Sequence, residues 1–144
     1  MLVNLDLHIH SRYSMAVSGD MELMQIAKGA EQKGVKIVGT GDCLHPLWLK
    51  SIRELPEEDG LRRLGNTLFL LSVEVEDANR VHHLIILPEI SKAEELAEAF
   101  SLHSSNLQQD GRPRLHMSAA QVADLALEAG GLIGPAHAFT PWTG

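Results

Sequence analysis

Eight histidines stand in a chain of 144 residues whose aromatic content is only 4 %. Histidine is the commonest protein metal ligand, so the histidine positions are read first. Asp6-Leu7-His8-Ile9-His10-Ser11 sets two imidazoles two residues apart. In extended chain side chains alternate with a period of two, so His8 and His10 share one face, and Asp6 shares it with them. Asp6 could orient one of these rings as a neighbouring carboxylate or bind metal itself. Gly39-Thr40-Gly41-Asp42 offers a carboxylate beside two glycines. Ser72-Val73-Glu74-Val75-Glu76 puts Glu74 and Glu76 on one face and the valines on the other; Glu76, nearer a turn, reads as solvated. Val81-His82-His83-Leu84 holds two histidines of opposite facing, of which His83 is the one expected in a site. Gly134-Pro135-Ala136-His137 adds one more. His, Asp and Glu gathered from several segments, with a single cysteine, suit zinc, manganese or iron in a multinuclear hydrolytic centre. Paired divalent ions lower the pKa of a bound water and clamp the oxygens of an in-line displacement. Glu74 is the carboxylate expected to bridge them. Arg12 and Arg80 are the candidates to hold a phosphate oxygen bidentately. His45, His103 and His116 read as surface or packing residues, Trp48 and Trp142 as packing, and Cys43 as a small buried filler.

Such residues need a scaffold that ends several strands at one place. The chain alternates short apolar strands with amphipathic helices, the signature of an α/β fold. Strands are expected at Val3–Leu7, Val35–Thr40, Thr67–Glu76, Val81–Leu87 and Leu132–Pro135. The third and fourth of these read as a hairpin turning over Asp77-Ala78-Asn79-Arg80. Helices are expected over Met21–Lys33 (Asp20 as N-cap, Gly34 beyond its end), near Leu47–Leu55, from Ser91 to about His103, and from Ser118 to Ala129. Ser91-x-x-Glu94 and Ser118-x-x-Gln121 both have the capping-box pattern. Pro56–Gly60 reads as an acidic turn and Ser104–Leu115 as a polar connection. The candidate residues fall at strand ends, where catalytic groups of α/β sheets and barrels gather.

Composition narrows the classes. Hydrophobic residues make up 44 % and charged residues 22 %, which argues against disorder. No apolar run reaches the ~18–20 residues of a membrane span, and the first residues lack the basic start of a signal peptide. One cysteine excludes an internal disulfide framework and fits a reducing, cytoplasmic setting. A net charge of −7 argues against a free-standing nucleic-acid grip. Three bound divalent ions would bring −7 to roughly −1, so DNA contact would still rest largely on other domains. Phe139-Thr140-Pro141-Trp142 is apolar for a chain end, which points to an N-terminal fragment of a longer protein that self-associates through uncovered surface.

Taken together, Asp6-Leu7-His8-Ile9-His10-Ser11, Gly39-Thr40-Gly41-Asp42, Val73-Glu74-Val75, His82-His83-Leu84 and Ala136-His137-Ala138 resemble the polymerase-and-histidinol-phosphatase (PHP) superfamily of metal-dependent phosphoesterases. They occur in the family's order and span nearly the whole chain. His8-Ile9-His10-Ser11-Arg12-Tyr13-Ser14, Arg80-Val81-His82-His83 and Gly134–Trp142 look closer still to the N-terminal part of endonuclease Q-type proteins, which nick DNA beside deaminated bases. The resemblance implies a distorted, TIM-like (β/α)7 barrel, present here as the incomplete N-terminal portion of a PHP domain over residues 1–144. It implies two or three divalent ions (Zn, Mn, Mg or Fe) on His8, His10, Asp42, Glu74, His83 and His137. Glu74, Asp42 and Arg12 would serve the reaction on a phosphate ester. Two departures stand out: Cys43 follows Asp42 where the family has histidine, and the family's final Asp-x-His motif is not in this chain. The function implied is the catalytic-domain portion of a DNA endonuclease, weak or inactive alone. A small-molecule phosphomonoesterase and a non-catalytic metal-binding module are the alternatives.

Overall fold

The computed structural model describes residues 2–144; Met1 lies outside them. The described chain is a mixed α/β structure of two sheets and four helices. β1 (Leu5–Asp6) leads through α1 (Leu23–Gln32) to β2 (Ile37–Gly39). α2 (Pro46–Arg53) follows, then β3 (Glu57–Glu58), β4 (Leu61–Leu64) and β5 (Thr67–Leu70). The second half holds β6 (Ser72–Glu76), β7 (His82–Ile86), α3 (Ile90–Ser101), α4 (Ala119–Glu128) and β8 (Leu132–Pro135). The first sheet runs β1-β2-β5-β4-β3, with β1, β2 and β5 mutually parallel. The second is an antiparallel ladder, β6-β7-β8.

The helices follow from their apolar spacing. α1 buries Leu23, Ile26, Ala27 and Ala30, one stripe at i, i+3, i+4 and i+7. Gly34 lies just past its C-cap Lys33, with a φ of +68° in the left-handed conformation that glycine adopts freely. Its N-cap is Glu22, not Asp20. α2 opens on Pro46, whose missing N–H costs nothing in a first turn. α4 carries the expected capping box between Ser118 and Gln121. α3 does not carry its own: it begins one residue earlier on buried Ile90, so Ser91 lies inside the helix and its hydroxyl donates to Glu89.

Two strand expectations change. The long strand over Thr67–Glu76 divides at Leu71, because the chain passes from the first sheet into the second. Hydroxyls replace ladder bonds at this switch: the Ser72 N–H donates to Thr40 Oγ1 at 3.1 Å, and the Gly41 N–H to Ser72 Oγ at 2.9 Å. The acidic turn at 56–60 is in fact half of a hairpin, β3 against β4. Its bend, Asp59-Gly60, takes φ of +51° and +81°, as two-residue hairpin turns require.

Phe69, Val73, Val75, Ile85, Ala93, Phe100, Val122 and Ala126 have no solvent exposure and form the core between sheets and helices. Among the described residues the two sheets do not close into the expected barrel; β1 and β8 are open edges. Leu5 is 53 % and Leu132 69 % exposed along them, and Phe139 and Trp142 stand free in solvent, so Trp142 is not a packing residue here. Open edges and exposed apolar groups recruit other chains. A protein of these 144 residues is therefore expected to self-associate, with light-scattering mass rising across a concentration series. A constant monomer mass would contradict this.

Candidate metal centre

The site is built around one carboxylate. Glu74, in the middle of β6, is 1 % exposed. Its Oε2 faces His8 Nε2 at 3.0 Å and His10 Nε2 at 2.7 Å. Its Oε1 faces His82 Nδ1 at 2.5 Å and His137 Nε2 at 2.9 Å. Each carboxylate oxygen thus meets two imidazole nitrogens. Two donor groups result, His8–His10–Glu74 and Glu74–His82–His137, with Glu74 common to both. Their ligand atoms lie within 4.8 Å of one another. The rings pack against each other: His8 and His137 are stacked with centroids 5.7 Å apart, and His82 meets His137 edge-on at 5.1 Å.

Local structure explains each position. His8 and His10 follow β1 two residues apart, and both rings meet Glu74 Oε2. Glu74 is carried by the β6–β7 hairpin, whose register pairs Glu76 with His82 and Val75 with His83. Directly paired residues share a face, so His82 falls on the face of Glu74 and His83 on the other. This corrects the expectation that His83 joins the site. His83 Nε2 is instead 2.9 Å from Asp77 Oδ2, and Asp77 also accepts the N–H groups of Asn79 and Val81 to hold the turn. His137 follows β8 with φ of +34°, a strained left-handed conformation that aims its ring at Glu74.

Asp42 is fully buried but belongs to neither donor group. It accepts from the Ser11 backbone N–H at 2.7 Å and the Ser11 hydroxyl at 2.6 Å. Its Oδ1 lies 3.2 Å from His10 Nδ1, so it holds the far nitrogen of a ring whose Nε2 faces Glu74. Such a carboxylate fixes ring orientation and tautomer. The turn carrying it needs glycine: Gly41 has φ of +58°, and a Cβ there would lie 2.2 Å from the Ile9 carbonyl oxygen. Trp48 Nε1 donates to the Thr40 and Gly41 carbonyls and pins the same turn.

The remaining candidates lie outside the centre. Arg12 pairs with Glu22 at the surface rather than standing among the donors. Asp6 is exposed and accepts the His8 backbone N–H. His45 is buried and stacked on Tyr13 at 4.3 Å, burial lowers its pKa, and it stands in neither donor group. Cys43 has no exposure, and burial pushes its thiol up, as an inert filler requires. Sequence reasoning missed His82 and Glu76. The parity of the two histidines is set by the loop over Asp77–Val81, which the Asp77 N–H closes on the Val81 carbonyl. Residue types alone do not give that loop length, and nothing adjacent in sequence marks the cover over Glu76.

Electrostatics match the geometry. Burial alone would raise the Glu74 pKa, but hydrogen bonds from His10, His8 and His137 outweigh it and hold the carboxyl well below the usual range. The surrounding imidazoles thus favour the ionised carboxylate, the form in which a carboxyl group can hold a metal ion.

No protein-family model matches the chain. Over 143 residues it is 44 % identical to an uncharacterized protein of Methanocaldococcus jannaschii, covering 99 % of this chain and 17 % of that protein. An uncharacterized protein of Bacillus subtilis is 26 % identical over 157 residues, covering 94 % of this chain and 40 % of that protein. Two solved structures decide the relationship. The crystal structure of PfuEndoQ, a lesion-specific endonuclease from Pyrococcus furiosus, matches with a TM-score of 0.96 and 48 % identity, over 99 % of this chain and 36 % of that one. Endonuclease Q in complex with a 27-mer duplex substrate, with an abasic lesion at its active site, matches with a TM-score of 0.95 and 48 % identity, over 99 % and 37 %. The chain is related to endonuclease Q in both sequence and fold. It spans little more than a third of endonuclease Q and 17 % of the M. jannaschii relative.

The His10 environment generates a pH prediction. Hydrogen bonding to Asp42, then to Glu74, raises its pKa from 6.5 to about 9. In the metal-free chain this stabilisation is complete below about pH 6.5 and is lost as pH rises through about 9. The melting temperature of metal-free protein is expected to fall across that window, and His10→Gln to flatten the decline. An undiminished slope in the variant would contradict the assignment.

Proposed function

We propose that this chain is the N-terminal part of a PHP-type metal-dependent phosphoesterase domain, spanning residues 1–144, within a DNA endonuclease. Such an enzyme would cut phosphodiester bonds at damaged bases, deaminated ones among them. The observation that carries the reading is Glu74, a buried carboxylate shared by two histidine groups. Three imidazoles or carboxylates per group, without cysteine, are a donor set for zinc, manganese or iron. Bound ions would supply an acidified water and charge neutralisation at the phosphate. His8 and His10 would hold one ion with Glu74; His82 and His137 would hold a second with the same carboxylate. Asp42 would orient His10. The likeness to lesion-specific endonucleases supports DNA as substrate, reached through segments beyond these 144 residues. Later strands would complete the barrel between β8 and β1, and the setting would be cytoplasmic. No helix among the described residues is long and apolar enough to cross a membrane.

The test is strand nicking of a duplex carrying one abasic site, uracil or hypoxanthine, by a full-length protein that contains these residues. Divalent-ion-dependent cutting is expected, and Glu74→Ala should reduce it by at least about a hundredfold, since two ions depend on one ligand. His83→Ala should leave most of the activity. The 144-residue chain alone is expected to nick weakly or not at all. Cleavage that survives Glu74→Ala, or a phosphomonoesterase activity with no nicking, would overturn the reading.

A further inference from the structure

Glu76 was expected to be solvated, yet it is 9 % exposed and both its oxygens are engaged. Its Oε2 lies 3.1 Å from His82 Nε2, while His82 Nδ1 faces Glu74. Its Oε1 lies 3.1 Å from Arg114 Nε, an ion pair. The backbone repeats the attachment. The Glu76 N–H donates to the Pro113 carbonyl at 3.0 Å, and the Leu115 N–H donates to the Glu76 carbonyl at 2.8 Å, so Arg114 bridges Glu76 in parallel fashion. The segment is anchored by buried Leu115 and Met117 and by the Arg114 N–H on Asn106 Oδ1 at 2.9 Å. Glu76 is therefore fixed at backbone and side chain.

We propose that Glu76, held by Arg114, is the positioning residue that locks His82 with Nδ1 turned toward the metal centre; this rests on the phosphoesterase reading above. Carboxylates face both ring nitrogens, Glu74 at Nδ1 and Glu76 at Nε2. A metal ion bound through Nδ1 would leave the proton of neutral His82 on Nε2, where Glu76 is placed to accept it. The arrangement mirrors Asp42 on His10, with ring nitrogens exchanged. One segment, 110–114, supports both carboxylates. Gly111 lies so close to Asp42 that a Cβ there would be 2.3 Å from Asp42 Cγ, and three residues later Arg114 grips Glu76. That polar stretch is thus a strap behind both donor groups rather than a simple connection.

The experiment is zinc binding to the 144-residue chain by chelator competition, with the His82 tautomer read from long-range nitrogen–proton NMR spectra of the zinc-loaded protein. Glu76→Ala is expected to weaken one of two zinc sites by about ten- to a hundredfold and leave the other unchanged. His82 should lose its uniform Nε2–H form. Glu76→Gln, which keeps an acceptor oxygen, should recover most of the affinity, and Arg114→Ala should fall between. Unchanged affinity and tautomer in Glu76→Ala would overturn the proposal. If that variant does not fold, Arg114→Ala, which removes an exposed side chain, decides: an unaltered His82 tautomer would overturn it equally. A wild-type chain that binds none of zinc, manganese and iron(II) would overturn the phosphoesterase reading itself.

Discussion

The buried carboxylate of Glu74 is the constraint on which the rest of the structure turns. A lone ionised carboxylate inside a protein costs several kcal/mol even after relaxation. Here four imidazole nitrogens surround it at 2.5–3.0 Å, two on each oxygen. Those nitrogens come from three separate places in the chain: the extension of β1, the start of β7 and the end of β8. No subset of the fold satisfies Glu74 alone. The carboxylate therefore couples the two sheets as well as the two donor groups.

The break at Leu71 serves that purpose. An uninterrupted strand from Thr67 would keep Glu74 in the first sheet, beside β2 and away from His82 and His137. Passing into the second sheet at Ser72 puts β6 beside β7, and the five-residue loop Asp77–Val81 then fixes which histidine faces inward. A one-residue slip would exchange His82 for His83 and place Leu84 on the wrong face. Asp77, paired with His83 and capping two turn N–H groups, secures that register from the opposite side.

Much of the site was legible in the sequence because period-two alternation is a local rule. His8 and His10, the facing of Glu74 away from its valines, and His137 beyond an apolar strand all follow from it. The choice between His82 and His83 was not local: it depends on hairpin register, set by loop length. Asp42 reads as a ligand from its neighbours, but its chemistry depends on Ser11 and His10, 31 and 32 residues earlier. Glu76 looked solvated because nothing near it in sequence suggests that Pro113–Leu115 would cover it. In the fold, apolar periodicity found the helices and most strands, whereas the β3–β4 hairpin was hidden by its charge. Glu57 and Arg62 pair across it, so neither strand shows an apolar face.

The central claim is that one carboxylate serves two metal positions. Calorimetric zinc titration of the wild-type chain beside Glu74→Gln tests it most directly, since glutamine keeps the shape and removes the charge. Two zinc equivalents in the wild type and loss of both in the variant are the predicted result. A variant that still binds two equivalents with undiminished affinity would contradict the claim.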